Sequence, residues 1–168
     1  MKTIFLIGFM GSGKSTIGKM LSETYDLSFV DIDDFIEQKY EQKITDIFKM
    51  YGEEVFRNYE HEALQEVTTY NVVATGGGVV ERENNINVMK NAGTIVYLQA
   101  SFAEIDERLK HNTTRPLWLN SEFDTKVSLY KRRNHLYTQC ADYKIQTDHK
   151  TIENIVSDIG DIFLLTRT

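Results

Sequence analysis

Residues 8–16 read GFMGSGKST, and residues 8–15 satisfy the spacing G-x-x-x-x-G-K-[ST]. Each residue type in that pattern answers a requirement of phosphate binding. Glycines let the backbone wrap tightly enough for its N–H groups to converge on phosphate oxygens. A helix opening directly after the loop turns its N-terminus toward the same anion. Lys14 adds a mobile positive charge for the β and γ phosphates, and Ser15 offers a hydroxyl that can hold Mg²⁺. Gly11, Ser12, Gly13, Lys14, Ser15 and Thr16 are therefore the expected nucleotide-binding residues.

The fate of the phosphate depends on what stands near the loop. The strings D-x-x-G and N-K-x-D, which a regulatory GTPase would carry, occur nowhere in the chain, and a motor or transporter ATPase needs more chain than 168 residues. A small-molecule kinase remains, and it needs an acceptor pocket. Asp31-Ile32-Asp33-Asp34 is the first candidate. Along a strand end Asp31 and Asp33 project together and Asp34 points away. Asp34, with Glu37, reads as a helix cap. Two neighbouring carboxylates repel unless a cation is near, and Mg²⁺ and an incoming hydroxyl would give them separate tasks.

Arg57 precedes Glu60 by three residues on an amphipathic helix, within side-chain reach, and taken alone the two read as a surface ion pair. Gly76, Gly77 and Gly78 follow an apolar run and expose backbone N–H groups with no side chains in the way. Between Arg108 and Arg133 stand seven basic residues against two acidic ones. Arg115 lies in the polar part of that stretch, beside Pro116, the one proline. An arginine on a loop with a fixed bend reads as a lid, about residues 112–122, that closes over phosphates and excludes water.

The elements that must carry these residues alternate between strand and helix. Apolar runs at 3–7, 28–32, 72–75 and 94–98 read as buried strands, and 143–146 as a fifth. Helical periodicity follows at 17–25, 34–40, 53–67, 83–91, 101–110, 126–140 and 152–163, with Ser101 and Glu104 forming a second capping box. Strands separated by helices imply a parallel sheet covered on both faces, with ligands beyond the carboxyl ends of the strands. The glycine loop, the aspartates and the glycine triplet all fall at such ends.

Composition narrows the rest. The chain fits one α/β domain, residues 1–168, with 41% hydrophobic and 26% charged residues. A net charge of −6 argues against nucleic-acid binding. The single cysteine, Cys140, rules out an internal disulfide and fits a cytoplasmic protein. No stretch approaches the ~18 apolar residues of a membrane span. The N-terminal MKTIFLIGFM reads as a buried strand rather than a signal peptide, because Gly11-Ser12-Gly13-Lys14 ends the run. No large apolar surface patch is evident, so a monomer is expected.

The strings GFMGSGKST (8–16), DID (31–33), GEEVFRNYE (52–60), GGG (76–78), RPL (115–117) and RNHLY (133–137) together resemble the shikimate kinase family, and the likeness runs essentially from end to end. The resemblance implies a three-layer α/β/α P-loop kinase fold with a five-stranded parallel sheet and a mobile lid. It implies ATP as co-substrate, Mg²⁺ as cofactor, and phosphorylation of the 3-hydroxyl of shikimate on the way to chorismate and the aromatic amino acids. By the same resemblance Asp33, Lys14 and Arg115 are catalytic. Arg57 and Arg133 would grip the substrate carboxylate, with Arg132 standing next to the latter, and Glu60 would hold Arg57. Gly76, Gly77 and Gly78 would line the acceptor, Arg108 and Arg115 would meet the nucleotide, Ser15 would ligate Mg²⁺ directly and Asp31 would do so through water. The acceptor region would span about residues 33–60. His135 stands where family members often carry proline. Two other readings stay open on the residues alone: another small-molecule kinase, such as a gluconate-type enzyme, and a non-catalytic ATP-binding module.

Overall fold

The computed structural model describes residues 1–112 and 116–165. Five strands form one parallel sheet in the order β2-β3-β1-β4-β5. They are β1 (Thr3–Ile7), β2 (Phe29–Asp31), β3 (Val72–Ala74), β4 (Gly93–Gln99) and β5 (Tyr143–Gln146). β1 lies at the centre, with Ile4 opposite Val72 of β3 and Thr94 of β4. All five residues of β1 are buried, as a strand covered on both faces requires.

Strand alternation sends neighbouring side chains into separate cores. Ile4 and Leu6 face a core closed by Ile17, Leu21 and Tyr25 of α1 (Lys14–Tyr25) and by Ile155, Val156 and Ile159 of α8 (Ile152–Ile162). Phe5 and Ile7 face the opposite, larger core. There α2 (Ile32–Tyr40), α3 (Ile44–Glu66), α4 (Glu83–Ala92), α5 (Phe102–Lys110) and α7 (Phe123–Cys140) supply the cover.

Several local expectations are corrected. Helix α3 begins at Ile44 rather than near Glu53 and bends at Gly52, whose φ of 83° breaks the helical path. Ile44, Ile47, Phe48 and Tyr51 carry helical spacing through the first half, a signal that sequence reasoning missed. Asp34 is not the cap of α2. Asp31 is, accepting from the backbone N–H groups of Asp33 (2.9 Å) and Asp34 (3.3 Å). Glu37, the other half of the expected capping box, instead accepts from the Ile44 N–H at 3.0 Å and ties α2 to α3. Ser101 does cap α5, but its own N–H goes to Asp148 at 3.0 Å rather than back to Glu104.

The polar segment expected from His111 to Phe123 contains a short helix, α6 (Pro116–Leu119), and α7 starts at Phe123, three residues early. Trp118 seats α6 edge-on against Phe9, with ring centroids 5.4 Å apart. Arg115 lies outside the described residues.

Candidate active site

The loop between β1 and α1 is shaped by its glycines. Gly11 and Gly13 have φ of 80° and 94°, a left-handed region that side-chain-bearing residues rarely adopt. Gly13 is the N-cap of α1 and has no capping side chain, so the first N–H groups of that helix are directed to whatever occupies the loop. Lys14 Nζ donates to the carbonyls of Gly8 (2.7 Å) and Phe9 (2.9 Å), which folds the lysine over the loop.

A cleft of about 550 Å³ opens above the carboxyl ends of the strands. The loop residues from Gly11 to Thr16 line it, together with Asp31, Asp33, Gly76, Gly77 and Arg108. Arg108 reaches the loop directly, its Nη1 donating to the Gly11 carbonyl at 2.9 Å. The cleft also takes in Asn112, Thr147 and Lys150, which sequence reasoning missed. The last two follow β5, and the rule that ligands sit beyond strand carboxyl ends was the signal for them.

Ser15 Oγ donates a hydrogen bond to Asp31 Oδ2. Asp31 thus faces the loop with one carboxylate oxygen while the other caps α2. Asp33 does not join it by strand alternation, because β2 ends at Asp31 and Asp33 lies in the first turn of α2. The two carboxylates share the cleft because a helix starts between them. A hydroxyl and a carboxylate at the foot of a phosphate loop are hard oxygen donors of the kind Mg²⁺ accepts when phosphates complete its shell. Among the described residues no cluster of three or more His, Cys, Asp or Glu could hold a metal by itself.

The glycine triplet brings the remaining charges together. Each glycine lies near one of them, and Gly76 lies nearer still to Glu60, whose Oε2 would stand 2.7 Å from a methyl group there. A methyl group placed at Gly76 would stand 3.4 Å from Asp33 Oδ1, one at Gly77 3.5 Å from Arg133 Nη1, and one at Gly78 2.3 Å from Arg57 Nη2. The three charges come from α2, α7 and α3, so three helices converge on three consecutive residues. Tyr137, fully buried, donates its hydroxyl to the Gly77 carbonyl and fixes the turn from α7. Burial raises the Tyr137 hydroxyl well above its ordinary pKa, so it stays a donor.

Arg57 and Arg133 are each 8% exposed, and each is held by a carboxylate. Arg57 Nη1 donates to Glu60 Oε1 at 2.8 Å, and its Nη2 meets Glu53 Oε1 at 3.4 Å. Glu60 is fully buried, not half of a surface pair, and its Oε2 has no hydrogen-bond partner among the described residues. Burial pushes the Glu60 carboxyl up, and the attraction of Arg57 only partly offsets it. Arg133 Nε donates to Glu81 Oε1 at 3.0 Å, a partner that sequence reasoning missed. Arg132 reaches the same oxygen at 2.8 Å, but its side chain is 62% exposed. Of the two adjacent arginines, Arg133 is the one against the turn.

The arrangement can hold a polyphosphate on the loop and a small anion between two buried guanidiniums, with an aspartate between the two sites. A family model described as "Shikimate kinase" matches residues 10–163. The shikimate kinase of Bacillus mycoides (strain KBAB4) is 41% identical over 160 residues, covering 95% of this chain and 96% of that protein. A solved shikimate kinase from Acinetobacter baumannii in complex with shikimate superposes with a TM-score of 0.90 at 34% identity, covering 98% of this chain and 93% of that one. A gluconokinase from Sinorhizobium meliloti superposes with a TM-score of 0.55 at 14% identity, a likeness of fold alone.

Proposed function

This chain belongs to the shikimate kinase family, and we propose that it transfers the γ-phosphoryl group of ATP to the 3-hydroxyl of shikimate. One observation carries the reading most directly: Asp33, Arg133 and Arg57 stand against Gly76, Gly77 and Gly78 in turn, beside the phosphate loop. That is a pocket for a small carboxylated alcohol, with its hydroxyl directed at the nucleotide.

In this reading Arg57 and Arg133 take the acceptor carboxylate with paired, rigid donors, and the N–H groups of the glycine triplet hold the ring. Asp33 accepts the hydrogen bond of the attacking hydroxyl, aligns its oxygen with the γ-phosphorus and receives its proton. The new bond joins that oxygen to phosphorus, and the bond to the bridging oxygen of ADP breaks. Lys14 leaves the Gly8 and Phe9 carbonyls and turns to the β and γ phosphates, while Arg108 and Arg115 flank the nucleotide. Mg²⁺, held by Ser15 and through water by Asp31, neutralises charge on the phosphates when bound. Phosphoryl transfer is mostly positioning and charge stabilisation, so Lys14 and Arg115 contribute more to rate than the basicity of Asp33. We include in the proposal a monomeric, cytoplasmic enzyme with a lid at residues 112–122 that excludes water from the donor. Among the described residues no helix is long and apolar enough to cross a membrane.

The test is ADP release from Mg-ATP with shikimate, quinate, gluconate or AMP as acceptor, run beside an Asp33→Asn variant. Release that requires shikimate and falls sharply in the variant is expected. Release with gluconate or AMP alone would keep the phosphate loop and overturn the acceptor. No release with any of them, from protein that binds ATP, would leave a binding module.

A further inference from the structure

We propose that Glu81 is a positioning residue for acceptor binding, holding Arg133 so that its outer nitrogens face the glycine turn. The inference rests on the shikimate reading above. Glu81 closes the 3-10 turn Val79–Glu81 that follows the glycine triplet directly, and its N–H donates to the Gly78 carbonyl at 3.0 Å. The carboxylate is thus tied through its own backbone to the turn that would hold the substrate.

Its Oε1 accepts from Arg133 Nε at 3.0 Å. A bond at Nε grips the guanidinium at its inner corner and leaves the two outer nitrogens for another partner. Of the Arg133 atoms, Nη1 comes nearest the turn, 3.5 Å from a methyl group placed at Gly77. An unheld arginine has several rotatable bonds to order when it binds a ligand, and a fixed one avoids that cost. Arg57 shows the same device on the opposite side of the turn, where Glu60 holds it.

Arg132 gives this second grip a different charge balance. Glu81 accepts from both arginines, so the three groups together carry one net positive charge rather than none. Burial opposes ionisation of Glu81, but hydrogen bonds from Arg132 and Arg133 outweigh it and keep the carboxyl below its ordinary range. Glu81 is therefore a full anion at neutral pH without cancelling the charge offered to an acceptor carboxylate. Arg132, mostly exposed, serves Glu81 and not the acceptor.

The experiment compares the wild type with Glu81→Ala, Glu81→Gln and Arg132→Ala, measuring kcat and KM for shikimate and for ATP, and the melting temperature of each. Glu81→Ala is expected to raise the shikimate KM at least about tenfold with kcat and the ATP KM within about twofold. Glu81→Gln keeps an oxygen for Nε and should fall between the two, and it serves as the reading if the alanine variant does not fold. Arg132→Ala removes one of the two donors to Glu81 and should raise the shikimate KM by less than Glu81→Ala does, since its side chain is mostly exposed. An unchanged shikimate KM in folded Glu81 variants would overturn the inference. So would a fall of kcat and both affinities in step with melting temperature, which marks general loosening. A wild type that does not phosphorylate shikimate would instead overturn the reading beneath it, so the two failures are told apart.

Discussion

Arg57 lies so close over Gly78 that no side chain fits there: a methyl group would come within 2.3 Å of Arg57 Nη2 and 2.5 Å of Cζ. Gly78 has φ −93° and ψ 7°, a conformation many residues adopt in turns, so the contact and not the backbone demands glycine. Arg57 has little room to yield, because Glu60 and Glu53 hold it. Gly78→Ala is therefore expected to displace the guanidinium and raise the shikimate KM by roughly 10–100-fold, the scale of a lost charge-assisted hydrogen bond. Steady-state kinetics with varied shikimate checks this. An unchanged KM would mean that Arg57 does not bind the acceptor from this position.

Tyr137 anchors the same turn from below. Its hydroxyl satisfies the Gly77 carbonyl, and Tyr137→Phe leaves that acceptor without its partner. We expect a loss of about 1–3 kcal/mol in stability together with weaker shikimate binding. The stability loss would be read as a lower urea midpoint at constant slope. A variant with an unmoved midpoint would show that water replaces the hydroxyl at no cost.

The two carboxylates that hold the arginines should titrate in opposite senses. Glu60 is raised, so its contribution to stability is complete below the ordinary glutamate range and is lost as pH rises through its folded pKa. Wild type should then lose stability relative to Glu60→Gln as pH climbs above about 4.5. Glu81 is lowered, so its contribution is present above the ordinary range and is lost as pH falls through its folded pKa. Glu81→Gln should accordingly flatten the acid limb of the stability profile. Melting temperatures from pH 3 to 8 test both, and curves parallel to wild type would refute the assigned shifts.

Ser15 and Asp31 form the proposed metal-facing pair. Ser15→Ala should raise the Mg²⁺ concentration for half-maximal activity at least about tenfold, and chelation should abolish turnover of the wild type. An identical Mg²⁺ dependence in the variant would remove Ser15 from the metal site. Asp31→Ala adds a second reading, because it also removes the cap of α2 and should lower the melting temperature where Ser15→Ala does not.

How legible each part was depends on how local it is. The phosphate loop could be read because nine contiguous residues carry its spacing, its glycine conformations and its helix start. The order of strands and helices was readable too, since apolar runs as short as Thr3–Ile7, bounded by turn residues, mark strands buried on both faces. Asp34 reads as a cap because Glu37 stands three residues on, which satisfies the local rule better than Asp31 does. The end of β2 at Asp31, which decides between them, is set by pairing with β3.

The sequence by itself therefore determined the phosphate-loop motif, the layered α/β architecture and the residue types of the proposed acceptor pocket. Only the tertiary structure decided which charges meet. Arg132 and Arg133 are neighbours in the chain and share a partner in Glu81, yet one is exposed and the other is buried against Gly77. Nothing in their identities distinguishes them. The choice comes from how α7 packs on the sheet and directs one face toward the turn. Glu60 likewise reads as half of a surface pair until the surrounding elements bury it. Local motifs are written in backbone preference over a few residues, whereas a pocket built by α2, α3 and α7 exists only where their separate packing against the core brings them to one glycine turn.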